Sequence, residues 1–292
     1  MRAFASFWSN PLLRAGLALL GLGLLAVAVA RLALEQRRPP ERCPPGMAAL
    51  GARCCGAGQR LERGACVGTA DSCSSAQDRD AAGQCVARFG VVSLAGGWLE
   101  IGAADWDGAS GGERFPRTEV GPFRLDAAEV TRQRFRACAA CVRACPSCAT
   151  GEPGLPVVDI GPEAAERFCA SQRGRLPSAA EWVWAAASGA ARRYPWGNSG
   201  LVCRRAAFGL VHGPCADSGG PELAAARPDG ASPEGVLDLA GNVAEWTREA
   251  SGAYSARGGS FRSRSAAELK SWACLPDQQK ALYIGFRCAY PP

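Results

Sequence analysis

The longest apolar run of the chain covers residues 12–34 and is broken only by Arg14 and Arg31. It is long enough to cross a bilayer if those arginines snorkel to the interface. Ala28-Val29-Ala30 also fits a small-x-small cleavage site, so a removed signal peptide competes with a retained anchor. Farther along, the apolar positions recur at helical spacing. Thr131 suits the cap of a helix on which Phe135, Cys138 and Val142 share one face, and Pro146 stops it. Pro162 and Glu163 fit the first turn of a second helix that Gly174 closes. Ser178-x-x-Glu181 is a capping box opening a third, with Trp182 and Ala185-Ala186 inward and Gly189 as its stop. Val236, Leu237 and Leu239 then alternate like a short strand, and Gly241-Asn242 forces a tight turn after it.

Composition narrows the class. With 36 Gly and 20 Pro in 292 residues, the composition argues against a helical bundle and for a loop-rich fold with many tight turns. The net charge of +6 is spread over scattered arginines with no basic stripe, which excludes nucleic acid as a partner. A single histidine, His212, cannot build a His-rich metal site, and its turn-rich neighbourhood reads as a surface loop. Fifteen cysteines point to an oxidising compartment. The arginines after the apolar run (Arg31, Arg37, Arg38, Arg42) favour a cytoplasmic C-terminus. The cysteines outweigh them, and the main domain is expected outside the cytoplasm, anchored in the cell envelope or secreted after cleavage.

Residues 35–88 read as a charged, Pro-rich tether followed by a Cys repeat. Its units run Cys43 to Cys54, Cys55 to Cys66 and Cys73 to Cys85, each with Gly shortly before the closing Cys. Units this small cannot bury a core, so each is expected to be closed by its own disulfide and to form a stapled stalk. Cys138, Cys141, Cys145 and Cys148 repeat a zinc-like C-x-x-C spacing, although export favours disulfides. The first three would share a helix face, where close neighbours are poorly placed to bond each other, so some are expected to reach loops outside the helix. Cys203 and Cys215 flank a Gly-rich loop and suit closing it.

Around the Gly241-Asn242 turn, Asp238 and Glu245 can aim carboxylate oxygens at one point, together with freed backbone carbonyls. That is the ligand type Ca²⁺ prefers. The turn lies within Val-Leu-Asp-Leu-Ala-Gly-Asn-Val-Ala-Glu-Trp (236–246). Before it stand Gly-Arg-Leu-Pro-Ser-Ala-Ala-Glu-Trp (174–182) and Tyr-Pro-Trp-Gly-Asn (194–198). After it come Arg-Gly-Gly-Ser-Phe (257–261) and Ile-Gly-Phe-Arg-Cys (284–288). This ordered series resembles the formylglycine-generating enzyme family, also called the sulfatase-modifying-factor domain, from about Gly97 to Tyr290.

The resemblance implies a main domain over residues 89–292 with the loop-rich α+β formylglycine-generating-enzyme fold of short helices and strands, a relative of C-type lectins. Residues 97–102 are then its first strand, and 123–131 a second strand with the start of a helix. It implies one structural Ca²⁺ held by the side chains of Asp238 and Glu245 and the carbonyls of Gly241 and Val243, and a Cys169–Cys288 bond. Ala207, before Phe208, stands where a second calcium site has an oxygen ligand, which leaves that site open. Family enzymes use molecular oxygen and a pair of copper-binding cysteines to oxidise a target cysteine in unfolded sulfatases to formylglycine. Ser260 matches the serine beside that centre, whereas the two cysteine positions fall at Ser263 and Glu268, and Tyr283 replaces an expected asparagine. Hydroxyl and carboxylate oxygens neither hold Cu(I) nor exchange with disulfides, so copper is not expected. The leading expectation is a non-catalytic domain that binds a peptide or protein partner in the cell envelope, with Arg257, Ser260 and Arg287 as contacts. The alternatives are an enzyme of altered chemistry and an oxidase with a displaced thiol at Cys274.

Overall fold

The computed structural model describes residues 47–50, 53–62, 65–68, 71, 77–79, 85–87, 90–101, 115–209, 215, 220–275 and 279–292. All of them belong to one compact unit, Pro40–Pro292. The apolar segment 12–34, Cys43, Cys73 and His212 lie outside the described residues. Among the described residues no helix is long and apolar enough to cross a membrane.

Each Cys-bounded repeat folds as an antiparallel hairpin. β1 (Met47–Leu50) pairs with β2 (Arg53–Gly56), β3 (Arg60–Glu62) with β4 (Ala65–Val67), and β5 (Gln77–Arg79) with β6 (Cys85–Ala87). The closing cysteine of every unit lies on the second strand of its hairpin: Cys54 on β2, Cys66 on β4, Cys85 on β6. Two-stranded ribbons of three or four residues are marginal in water, which is the physical reason a covalent closure is expected of each unit. Cys55 is fully buried and disulfide-bonded. The three pairings expected from the repeat reach residues or side chains outside the description.

The main domain opens with β7 (Val91–Leu94) and the ribbon of β8 (Gly97–Ile101) and β9 (Phe115–Val120). β10 (Phe123–Asp126) lies between β7 and the last strand, β15 (Ala289–Tyr290), so the two ends of the domain meet in one sheet. A second sheet has the order β13 (Cys274–Leu275), β12 (Tyr254–Arg257), β11 (Ala244–Arg248), β14 (Ile284–Gly285). β11 pairs antiparallel with β12 and parallel with β14.

The helices follow the capping signals. The expected box forms at α4 (Ala179–Ala187): Ser178 Oγ accepts from the Glu181 N–H, and Glu181 Oε2 from the Ser178 N–H at 2.8 Å. The helix ends at Ser188, with φ 50°, one residue before the expected Gly189. α3 (Pro162–Ser171) starts on its proline as expected. Trp182, Val183, Leu99, Phe123 and Trp272 build one core cluster. Phe135, Phe168, Trp246, Phe286 and the Cys169–Cys288 bond build another.

Two expectations are corrected. The helix after Thr131 is broken into α1 (Arg132–Arg136) and α2 (Ala139–Ala144), because Cys138 leaves helical backbone at φ −97° and ψ 88°. Cys145 does the same at φ −142° and ψ 79° before the 3-10 turn Pro146–Ala149. These breaks bring Cα atoms to 5.2 Å in Cys138–Cys141 and 5.4 Å in Cys145–Cys148, within bonding range. The cysteines therefore bond their near neighbours rather than outside loops. Residues 236–239 form no strand either; the apolar side chains are buried in an irregular segment. The loop between Cys203 and Cys215 is closed by their bond.

Candidate functional site

The approach to β11 is wound through three left-handed residues: Asp238 (φ 58°), Gly241 (84°) and Asn242 (55°). A Cβ on Gly241 would stand 2.3 Å from the Ala207 carbonyl oxygen, so only glycine fits there. Asn242 ties the turn to four other segments. Its N–H donates to Ala207 O at 3.0 Å and its carbonyl accepts from the Phe261 N–H at 2.8 Å. Its Oδ1 accepts from the Glu222 N–H at 2.8 Å, and its Nδ2 donates to Glu129 Oε2 at 2.7 Å.

Behind the turn lies a buried charge cluster. Glu245 Oε2 accepts from Arg287 Nε at 2.6 Å and from Trp182 Nε1 at 2.8 Å, while Oε1 accepts from Arg287 Nη2 at 2.6 Å. Both side chains are fully buried. Arg287 also donates to the carbonyls of Asp126 and Leu237. Asp238 Oδ2 accepts from the Ala225 N–H, and Glu129 Oε1 accepts from the Val243 N–H at 3.1 Å. Three carboxylates thus share one guanidinium. Burial, and then the charges of Asp238 and Glu245, raise the Glu129 carboxyl well above its ordinary range. Desolvation pushes Asp238 up to about 6.

This charge balance bears on the expected calcium ligands. Asp238, Gly241, Val243 and Glu245 do sit on one tight turn, where three carboxyl groups face a single guanidinium, a set of oxygens of the kind a divalent cation takes. Glu245, however, serves first as the counter-ion of Arg287, leaving one free lone-pair direction on Oε1. Among the described residues no cluster of three or more His, Cys, Asp or Glu is disposed to hold a metal.

The expected reaction centre follows β12. Gly258 (φ 89°) and Gly259 (φ 65°) turn the chain, and a Cβ on Gly259 would stand 2.6 Å from Glu268 O and 2.7 Å from Ser263 Oγ. Ser263 is buried, and its Oγ accepts from the Ser260 N–H at 2.9 Å while its N–H donates to Ser260 O at 2.9 Å. Glu268 Oε1 accepts from the N–H and Oγ of Ser265 at 3.0 and 2.8 Å, capping the 3-10 turn Ala266–Leu269. Ser260 Oγ accepts from the Arg262 N–H at 3.1 Å. All three side chains at the expected centre are therefore fastened into the turn itself. Cys274 is half-buried on β13, in register with Arg257. Arg257 and Arg287, expected as ligand contacts, are both fully buried. Arg257 donates to Glu249 Oε1 at 2.7 Å and to Thr247 Oγ1 at 3.2 Å. The exposed cations beside the turn are Arg262, stacked over the Tyr283 ring at 5.7 Å, and Arg264.

Sequence reasoning missed Glu129 and Asp126. Asp126 is buried against Arg134 at 2.6 Å, Tyr290 Oη at 3.0 Å and the Cys288 N–H at 2.8 Å. The available signal is position: both acids flank Ala127-Ala128 within an apolar stretch immediately before the Thr131 cap, where a solvated carboxylate is out of place.

Residues 77–291 match the profile described as "Sulfatase-modifying factor enzyme 1-like domain". A hercynine oxygenase of Mycolicibacterium thermoresistibile is 35% identical over 99 residues, 32% of this chain and 21% of that protein. A formylglycine-generating enzyme of Thermomonospora curvata is 31% identical over 179 residues, 49% of this chain and 58% of that protein. The chain thus spans about a fifth of the first relative's length and somewhat over half of the second's. Among solved structures, Treponema denticola variable protein 1 superposes with a TM-score of 0.56 at 18% identity, over 69% of this chain and 95% of that one. CarF gives 0.53 at 20% identity, over 70% of this chain and 99% of that one. PvdO from Pseudomonas aeruginosa gives 0.55 at 19%, over 69% and 94% respectively. These three share the mixed helix-and-strand fold.

Proposed function

Because the chain belongs to the sulfatase-modifying factor enzyme 1-like domain family, we propose that it keeps the family scaffold without the paired-thiol centre. On this reading it is an exported, non-catalytic domain that holds a peptide or protein partner of the cell envelope. The observation that carries the reading is the chemistry at two positions. Ser263 and Glu268 stand where the resemblance places the cysteine pair, and both side chains are consumed in holding their own turn. Their hydroxyl and carboxylate do not fit a copper ion. Residues 1–34 serve as the anchor, or as a signal peptide whose removal gives a secreted protein, and residues 35–88 carry the domain. Ca²⁺ acts structurally at Asp238, Gly241, Val243 and Glu245. Arg257, Ser260 and Arg287 act from within by fixing the turn, and the partner meets the exposed groups beside it.

One observation favours an enzymatic reading. Cys274 is the register partner of Arg257, the residue that leads into the Gly-Gly-Ser turn, which is where a displaced thiol would be sought. A single assay separates the two. The purified, copper-loaded protein is incubated with oxygen, a reductant and a Cys-x-Pro-x-Arg peptide of the type the family oxidises. Peptide binding without loss of its thiol is the expected result. Conversion of the thiol to an aldehyde, abolished by Cys274→Ala, would overturn the non-catalytic reading.

A further inference from the structure

Between Glu129 and Glu152 the chain carries four cysteines, four arginines (Arg132, Arg134, Arg136, Arg143) and no carboxylate. The cysteines form two bonds, Cys138–Cys141 and Cys145–Cys148, each spanning a sequence separation of 3. Rings this small restrict the unfolded chain far less than the Cys169–Cys288 bond, whose separation is 119. Stability alone is a poor account of four cysteines spent this way.

The four sulfurs are not equivalent. Cys138 and Cys141 are 8% exposed and Cys148 is 2% exposed, whereas Cys145 is only half-buried. Cys145 Sγ lies 3.7 Å from Ser147 Oγ, a hydroxyl that can donate to a thiolate at that sulfur. Arg136 donates to the carbonyls of Ala149 and Gly151, both at 2.7 Å, which fixes a guanidinium at the end of the same turn. Arg143 precedes the motif by two residues and is exposed. Arg134 is occupied by Asp126. Among the described residues neither Arg136 nor Arg143 is paired with a carboxylate, and cations close to a cysteine pair favour thiolate over thiol, the form that reacts.

We propose that Cys145-Pro146-Ser147-Cys148 is a thiol–disulfide exchange site that takes two electrons from a dithiol. The partner's first thiolate attacks Cys145 Sγ, on the less buried residue of the pair, and forms a mixed disulfide. The Cys145–Cys148 bond breaks, its electron pair leaves on Cys148, and that sulfur takes up a proton. The partner's second thiol then attacks its own sulfur in the mixed disulfide and releases Cys145. The partner ends as a disulfide and the protein as a dithiol, with no further oxidant required.

The test equilibrates the full chain in graded mixtures of reduced and oxidised dithiothreitol, quenches with acid, alkylates and maps the peptides. Cys145 and Cys148 are expected to be labelled together at a reduced-to-oxidised ratio at least about tenfold lower than the one that opens Cys169–Cys288, with near-ultraviolet circular dichroism unchanged. Opening only together with Cys169–Cys288, or only with loss of the dichroism signal, overturns the proposal. The single-cysteine variants test the attacked sulfur. With oxidised glutathione, Cys148→Ser is expected to form a mixed disulfide at Cys145 at least about tenfold faster than Cys145→Ser forms one at Cys148. Equal rates overturn the assignment. Zinc added to the reduced wild-type protein is the remaining arm: protection of all four thiols from alkylation would make the segment a metal site and refute exchange.

Discussion

Glu245 and Arg287 form a bidentate pair with no exposure on either side. Removing one partner strands the other's charge in the core. Glu245→Ala is therefore expected to cost about 3–5 kcal/mol in urea denaturation, whether or not a cation is present. That makes it a poor probe of calcium, and Asp238→Ala is the better one. Burial raises Asp238 from 3.8 to about 6, and Glu129 is raised too. A carboxyl whose folded-state pKa is raised contributes stability below its unfolded value and loses it as pH rises through the folded value. If the turn holds Ca²⁺ as proposed, its removal by EGTA should lower Tm more at pH 7.5 than at pH 5, since a bound cation would relieve the ionised carboxylates. Asp238→Ala should bind no Ca²⁺ and show no EGTA effect; an unchanged metal content in that variant would refute the assigned ligand set. Ser263 belongs to the same scale. Its Oγ satisfies the buried Ser260 N–H, so Ser263→Ala is expected to cost about 1–3 kcal/mol, read as a lower urea midpoint.

Among elements, the turn that follows β12, where the expected reaction centre lies, is held by its backbone geometry. Gly258 and Gly259 both take positive φ, and a Cβ on Gly259 would collide with the Glu268 carbonyl. Gly259→Ala is expected to cost at least about 1–3 kcal/mol, since the backbone must shift as well as adopt a strained conformation. A thermal shift within error of wild type would contradict the close packing described. The capping box at Ser178, the proline start of α3 and the Gly241-Asn242 turn were legible in the sequence because each is fixed by local chemistry. The break at Cys138 was not. Helical spacing of Phe135, Cys138 and Val142 reads the same whether the helix is continuous or interrupted, and only the non-helical backbone at Cys138 and Cys145 lets near neighbours bond. The alternation at 236–239 misled for a related reason: burial on both sides of an irregular segment imitates a strand pattern.

For the whole molecule, the ends of the domain are joined three ways: β10 pairs with β15, Asp126 accepts from the Cys288 N–H, and Cys169 bonds Cys288 across 119 residues. The scaffold was legible through five ordered motifs. The charge cluster was legible only in half, because Glu129 and Asp126 reach the site from a segment more than 100 residues away from Glu245 and Arg287. No local pattern records such a meeting. The same distance in sequence sets the last prediction. A loop of this length contributes about 5 kcal/mol by the chain-entropy estimate, against about 2 kcal/mol for a ring closing across two residues. Cys169→Ala with Cys288→Ala should therefore lower the unfolding free energy by about two to three times as much as Cys145→Ala with Cys148→Ala. Equilibrium denaturation of the two double variants under oxidising conditions measures the difference. Equal losses would mean that the small ring is a structural staple after all, and would weigh against an exchange role for Cys145 and Cys148 as well.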